Sequence, residues 1–371
     1  MTLKIMHTGD VHLGRKFSRY NDELSKKLED TRYETLENIV IEANNRSCNL
    51  FVIAGDLFDK ITMPEKDIIK TIDILEEFSG DAVLVLPGNH DNKNIGVWKT
   101  FKDNIKGDIL ILEDEKSYDL ERFDLDVIVY PAPCDNKHSS ENKLQWIKEV
   151  AKRDTTNNEI GLAHGAIKGV SPDMTDDYFT MDKNELRSLN MDLWLMGHTH
   201  IPIPKTNDND TVFNKKIYNA GTPEPDGFDC KHNGFAWYIE MNSKEDIKAE
   251  LIETGKYSFE EINREIQTED DLNDLFEEVK NNKPENKLVR INLTGRIEQD
   301  IHDKKNGYYN NIEDVTAYTR INDDDLNIKI TKEKIKEEFP EGSFPFQFLN
   351  EMIGEDKTLG IAYELIQEVK E

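Results

Sequence analysis

Residues 50–59 read LFVIAGDLFD. Five apolar residues in a row, two of them β-branched, suit a strand buried on both faces. Gly55-Asp56 then breaks the run with a turn, and Asp59 follows three positions on. The same unit, a short apolar run that stops at a polar or glycine-containing loop, recurs along the chain. It is found at residues 3–6, 82–86, 127–130, 160–163, 193–196, 217–218 and 235–239. Between several of these runs the apolar residues fall at helical spacing. Tyr33, Leu36, Val40 and Ala43 do so, as do Ile68, Ile72 and Leu75. Strands alternating with helices predict an α/β layer fold whose chemistry gathers on the loops at the strand ends.

The composition bounds the rest. A chain of 371 residues can bury one large core and a smaller second unit. Its 37% apolar content suits a globular protein, and no apolar run is long enough to span a bilayer. The N-terminus enters a strand-like run directly, without the pattern of a secretory signal. Cys48, Cys134 and Cys230 are far apart and form no CxxC pair. A reducing, cytoplasmic setting is therefore expected. The net charge of −28 is strongly acidic. Residues 241–371 hold 18 Lys and Arg against 32 Asp and Glu, so this shorter part carries half of that excess. Such a balance counts against a nucleic-acid surface, although net charge governs steering and not fold.

After residue 240 the texture changes. Residues 258–280 are charged and read as helical, while 288–297 (LVRINLTGRI) and 326–330 (LNIKI) alternate like strands. From residue 344 onward a loop and then a helix are expected. The division predicted is a catalytic domain over 1–240 and an acidic α+β capping domain over 241–371, ending in a partner-binding helix.

Five motifs follow five of the strand-like runs: Asp10-Val11-His12, Gly55-Asp56 with Asp59, Gly88-Asn89-His90-Asp91, His164 in LAHG, and Gly197-His198-Thr199-His200. Each alone has a plain reading as a turn, a helix cap or a hydrogen-bonded histidine. Together they place carboxylate, imidazole and amide groups at converging strand exits, a donor mix for divalent ions that needs no thiolate. A pair of ions about 3.5–4 Å apart can acidify a shared water and neutralise phosphate oxygens. Asp56 would bridge such a pair with one oxygen on each ion.

The order DxH, GDxxD, GNHD, H, GHxH resembles the calcineurin-like metallophosphoesterase superfamily. Within it, TGDVHLGRKF at 8–17, GDLFD at 55–59 and YPAPC at 130–134 resemble the SbcD family, with its Mre-eleven counterparts and YhaO-type relatives. The resemblance covers roughly residues 1–240. It implies a four-layer sandwich of two mixed sheets flanked by helices, and a metal-dependent DNA exonuclease and endonuclease subunit. One ion would be held by Asp10, His12, Asp56 and His200, the other by Asp56, Asn89, His164 and His198. Manganese is the ion implied, with iron, zinc or magnesium as alternatives. His90 would protonate the leaving oxygen, Asp91 would orient His90, and Asp59 would help orient the phosphate. The partners implied are DNA, an SMC-like coiled-coil ATPase and a second copy of the chain, with no membrane.

Other residues stay open in the sequence. Arg15, Lys16 and Arg19 could meet a nucleic-acid backbone or form a solvated basic loop, and the same holds for Lys93, Lys99 and Lys102. His138, His232 and His302 read as surface or structural residues, and Trp194 and Trp237 as core. Tyr178 and Phe179 could face substrate or pack inside. Two other functions compete with a nuclease: hydrolysis of a nucleotide or cyclic nucleotide on the same scaffold, and a phosphoesterase fold kept as a binding platform.

Overall fold

The computed structural model describes residues 2–151, 157–171, 178–205 and 211–370. The chain divides into two units, Met1–Ser258 and Phe259–Glu371. In the first unit, β1 (Leu3–Thr8), β2 (Leu50–Ala54), β3 (Ala82–Leu86) and β4 (Ile109–Ile111) run parallel to their neighbours. The other edge of β1 pairs antiparallel with β11 (Phe235–Ser243), followed by β12 (Asp246–Glu253) and β9 (Thr211–Phe213). The result is one mixed sheet in the order β4-β3-β2-β1-β11-β12-β9. A second mixed sheet has the order β10-β8-β7-β6-β5. Its strands are β5 (Tyr118–Asp119), β6 (Val127–Ala132), β7 (Asn158–His164), β8 (Leu193–Gly197) and β10 (Ile217–Asn219), and only β5 runs antiparallel.

The alternation of side chains along a strand explains why the runs are apolar throughout. In β2, Leu50, Val52 and Ala54 enter the core between the sheets, beside Leu84 of β3, Ile160 and Leu162 of β7, and Leu195 of β8. Phe51 and Ile53 point the other way, against α1 (Asp22–Asn45), α2 (Glu65–Glu76) and α3 (Val97–Asn104). On the far side, Tyr130, Trp194 and Met196 meet Ile147 of α4 (Gln145–Val150) and Leu186 of α5 (Lys183–Ser188). Helix, sheet, sheet and helix thus make the four layers.

The boundary expected near residue 240 falls inside β11. Ile239 pairs with Ile5, and Ile247, Ala249 and Leu251 of β12 close the inter-sheet core, so the sheet needs this segment. The division comes after Ser258.

In the second unit, β14 (Lys287–Ile297) lies between β13 (Ser258–Ile266) and β15 (Tyr318–Ile328). Leu275 of α6 (Glu269–Lys280) and Ile312 of α7 (Gln299–Val315) share a core with Ile291 and Leu293. The helix expected over 258–280 is half strand: the capping box of Thr268 and Asp271 starts α6 only at Glu269. The strand expected at 326–330 begins earlier, at Tyr318, and pairs with β14 in parallel. A last group, α8 (Lys332–Glu338), α9 (Phe344–Glu351) and α10 (Asp356–Lys370), packs around Ile335, Phe339, Leu349 and Leu359. The loop expected at 344 is a helix because Ser343 caps it, its hydroxyl accepting from the Phe346 amide at 3.3 Å. Among the described residues no helix is long and apolar enough to cross a membrane.

Candidate metal centre

Five loops meet at the ends of parallel strands. Asp10 and His12 follow β1, Asp56 follows β2, and Asn89 follows β3, while His164 ends β7 and His198 and His200 follow β8. Four of these residues sit in the left-handed backbone region: Asp10 (φ 52°), His12 (φ 49°), Asp56 (φ 53°) and His198 (φ 88°). Each such residue costs on the order of 1–2 kcal/mol. The loops hold one another in that geometry, since Asp10 N donates to Gly55 O at 3.0 Å and His12 N to Asp56 O at 2.9 Å. Gly55 itself has φ 89°, and a Cβ there would strike the His164 ring.

The donor atoms face one another. His12 Nε2 lies 3.2 Å from His200 Nε2. Asn89 Oδ1 lies 3.0 Å from His164 Nε2 and 3.1 Å from His198 Nδ1. Asp56 Oδ2 stands between the two groups, 3.4 Å from His164 Nε2 and 3.7 Å from His12 Nε2. His200 Nε2 is 3.6 Å from Asp10 Oδ1. Ligand atoms about 2.1 Å from one ion, at near right angles, are about 3.0 Å apart, so these spacings fit first-row divalent ions. The bridge differs from expectation in one respect. Asp56 Oδ1 accepts from the His90 amide at 2.9 Å, so a single oxygen, Oδ2, faces both groups.

The charges of the cluster agree with that use. Burial alone would raise the Asp56 carboxyl, but His164 and then His12 outweigh it and hold it well below the usual carboxylate range. Burial would lower His164, yet the Asp56 charge pushes it up to about 9. His164 Nδ1 donates to Ala54 O at 2.7 Å, so the exchangeable proton is the one at Nε2, where a metal ion can take its place. Burial lowers His12 well below its ordinary value and, with His164 adding to it, brings His198 to about 3. Neutral imidazoles of this kind offer lone pairs. Burial raises Asp10 to about 6, against His200 and His164.

Around the donors the structure reassigns several residues. Asp91 does not face His90: its carboxylate accepts from Gly88 N at 2.7 Å and Phe58 N at 3.0 Å, tying the third loop to the second. Burial first, then the Asp56 charge, push its carboxyl up to about 7. The residue beside His90 is Asp59. Its carbonyl lies 3.3 Å from His90 Nδ1 and its Oδ1 3.8 Å away. Arg15 turns inward, with Nη1 3.0 Å from Asp226 Oδ2 and 3.7 Å from Asp59 Oδ1. Lys16 pairs with Glu29, Lys99 with Asp103 and Lys102 with Glu113.

The donors open onto a cavity of about 1070 Å³, whose wall includes His90, Tyr178, Lys205, Asp226, Lys231 and His232. Tyr178 lies on this wall beside His198, with ring centroids 5.2 Å apart, whereas Phe179 is buried in the core. His232, read from the sequence as structural or surface, reaches the fifth loop through Nε2, 2.6 Å from His200 O. Trp194 and Trp237 are core residues. Two acids went unnoticed in the sequence, Asp226 and Glu224. Glu224 accepts from Thr35 Oγ1 at 2.7 Å and from the Tyr257 amide at 2.9 Å, and its carbonyl accepts from buried Arg32, which also binds Val11 O at 2.8 Å. The signal for both was a sixth strand-end loop, after β10, reading TPEPD at 222–226.

Residues 3–202, more than half of the chain, match the family described as calcineurin-like phosphoesterase. A protein of Methanopyrus kandleri named DNA double-strand break repair protein Mre11 is 23% identical over 252 residues, 60% of this chain and 49% of its own length. The protein of that name from Aeropyrum pernix is 31% identical over 94 residues, 25% of this chain and 22% of its own. The one from Methanosarcina acetivorans is 28% identical over 98 residues, 26% and 15%. The chain therefore spans half or less of these relatives. A solved structure, a dimetal phosphatase from Danio rerio, aligns over 68% of this chain and 99% of its own at 12% identity, with a TM-score of 0.38.

Proposed function

Because this chain belongs to the calcineurin-like phosphoesterase family and is a hydrolase, we propose that it is a two-metal phosphodiesterase that cuts DNA, as the nuclease subunit of an SbcCD-like complex. The observation that carries the two-metal reading is Asp56 Oδ2, poised 3.4 Å from His164 and 3.7 Å from His12. Asp10, His12, Asp56 and His200 would hold one ion, and Asp56, Asn89, His164 and His198 the other. We take manganese as the ion, with iron, zinc or magnesium as alternatives, since the donors are carboxylate, imidazole and amide. When bound, such ions supply positive charge against phosphate oxygens and acidify water.

The chain's own residues do the rest. His90 lines the cavity beside the donors. Its Nδ1 is directed at the Asp59 carbonyl, which fixes the ring and leaves Nε2 to give a proton to the leaving oxygen. Asp59 thus orients His90, the task expected of Asp91. Tyr178, Lys205 and Lys231 offer a ring and two cations to a nucleotide in the cavity.

DNA as substrate is supported by the names of the relatives and opposed by the net charge of −28. The acidity favours the second reading, a nucleotide or cyclic nucleotide. For the nuclease, an SMC-like coiled-coil ATPase partner would seat on the second unit. An apolar groove of about 710 Å³ there is lined by Phe344, Phe348, Ile361, Leu365 and Val369. A homodimer would use the face bearing exposed Ile41, Ile61 and Ile69. The three free, buried cysteines suit the cytoplasm.

The test is digestion of end-labelled double-stranded DNA with manganese, beside His90→Asn. Shortening by the wild type, with turnover lost in the variant and manganese content unchanged, is the expected result. Intact DNA together with cleavage of a cyclic nucleotide would replace this reading with the second.

A further inference from the structure

Behind the two histidines on one side of the centre lies a second set of charges. His12 and His200 turn their Nε2 atoms toward each other, so their Nδ1 atoms point outward. Each Nδ1 faces a carboxylate. Asp59 Oδ1 is 3.6 Å from His12 Nδ1, and Asp226 Oδ2 is 3.9 Å from His200 Nδ1. These separations exceed a hydrogen bond and place each carboxylate beside an imidazole nitrogen. The buried Nδ1 of His12 has no hydrogen-bond partner among the described residues, so Asp59 is the acid positioned to receive it. One guanidinium links the two acids, with Arg15 Nη1 3.7 Å from Asp59 Oδ1 and 3.0 Å from Asp226 Oδ2.

The three residues come from different loops. Arg15 belongs to the loop after β1, Asp59 to the loop after β2, and Asp226 to the loop after β10. Asp226 is buried, with only 5% of its side chain exposed, so its carboxylate finds its partners inside the protein.

We propose that Asp59, Arg15 and Asp226 form a charge clamp that orients His12 and His200, making Arg15 and Asp226 positioning residues for one of the two ions and Arg15 no phosphate contact. The chemistry is that of an acceptor behind a metal-bound imidazole. An acid on that side attracts the Nδ1 proton, biases the ring's orientation and makes Nε2 a better ligand. Arg15 keeps the two acids from repelling each other. One nitrogen, Nη1, makes both contacts, so an ammonium placed there could keep part of them. The other ion needs no such support, since His164 Nδ1 is already held by the Ala54 carbonyl at 2.7 Å.

This clamp rests on the two-metal reading, and the test separates the two. The full chain is titrated with manganese by calorimetry, as wild type, Asp226→Asn, Arg15→Met and Arg15→Lys. Two sites in the wild type are expected. In Asp226→Asn and Arg15→Met, one site weakens about 10- to 100-fold while the other keeps its affinity. Arg15→Lys recovers part of the loss. At a manganese level between the two affinities, the wild type gives the spin-coupled resonance of an ion pair, and the variants give the six-line spectrum of a single ion. The unfolding midpoint in chelator falls in the variants, which lose a buried ion pair, and the retained affinity of the other site separates the clamp from a general loosening of the fold. Two wild-type-like sites in both Asp226→Asn and Arg15→Met would overturn the clamp and leave the two-metal reading intact. Fewer than two sites in the wild type would overturn both.

Discussion

Asp91→Asn tests whether the acid of the GNHD motif serves catalysis or architecture. The wild-type carboxylate accepts two buried amides, Gly88 N at 2.7 Å and Phe58 N at 3.0 Å. Asparagine keeps the shape, so no cavity is made, but it has one acceptor oxygen, and its NH₂ must face the second amide. At pH 8.5, where a carboxyl raised to about 7 is ionised, one hydrogen bond to a charged group is lost, worth about 1.5–3 kcal/mol, and a buried donor is left unsatisfied. Some local adjustment offsets that, so a loss of about 2–3 kcal/mol is expected. In a unit of this size each kcal/mol moves the midpoint by about 2–4 °C, giving a fall of roughly 5–10 °C. The assay is thermal unfolding in chelator, where metal affinity does not enter, with turnover of a chromogenic phosphodiester measured separately at 15 °C. Turnover per folded molecule should fall less than tenfold. An unchanged midpoint with turnover lost would refute the reasoning and return Asp91 to the side of His90.

Two further outcomes follow from other parts of the molecule. Chelation should lower the unfolding midpoint of the wild type and added manganese should restore it, because each ion bound at 100 times its dissociation constant adds about 2.7 kcal/mol; a midpoint indifferent to both, read by scanning calorimetry, would contradict a bound metal pair. Arg46→Met should cost about 1 kcal/mol or less at pH 7 and less at pH 3. Arg46 donates to both oxygens of Glu250, at 2.8 and 3.1 Å, and holds that carboxyl below its usual range. A depressed carboxyl adds stability above its unfolded pKa and loses it as pH falls, so the difference between the two proteins, measured by urea unfolding, should narrow on acidification.

What could be read from the sequence follows from how each signal is encoded. The buried strands of the first unit were legible because both faces are covered, so runs such as residues 50–54 and 82–86 are apolar without interruption. β13 was not, because Phe259, Ile262 and Ile266 fall at near-helical spacing in a charged segment, and only pairing in the sheet makes it extended. β15 hid behind Asp323, Asp324 and Asp325: the last two are exposed, and half-buried Asp323 is paired with Lys305. Among the donors, paired motifs such as Asp10 with His12 and His198 with His200 announce themselves by spacing. Asp226 and Glu224 do not, since their partners Arg15, Arg32 and Thr35 lie about two hundred residues away. The left-handed backbone at Asp10, His12 and Asp56 was also invisible, because nothing in those residue types demands it.

The acidity of the chain gains a local meaning from these contacts. Asp10 and Asp56 are among the candidate metal donors, and Asp59 and Asp226 face the imidazoles behind them. The cations that the sequence offered to a nucleic acid are largely spent on acids: Arg15 on Asp226, Lys16 on Glu29, Lys99 on Asp103 and Lys102 on Glu113. A polyanion approaching this face would gain little from counterion release to the chain itself. Its attraction would come from the charge of the bound ions, from Lys205 and Lys231 on the cavity wall, and from whatever basic surface a partner brings. On the proposed reading, a nuclease built this way would hold a phosphate firmly only with its metals in place and with another chain supplying the path to them.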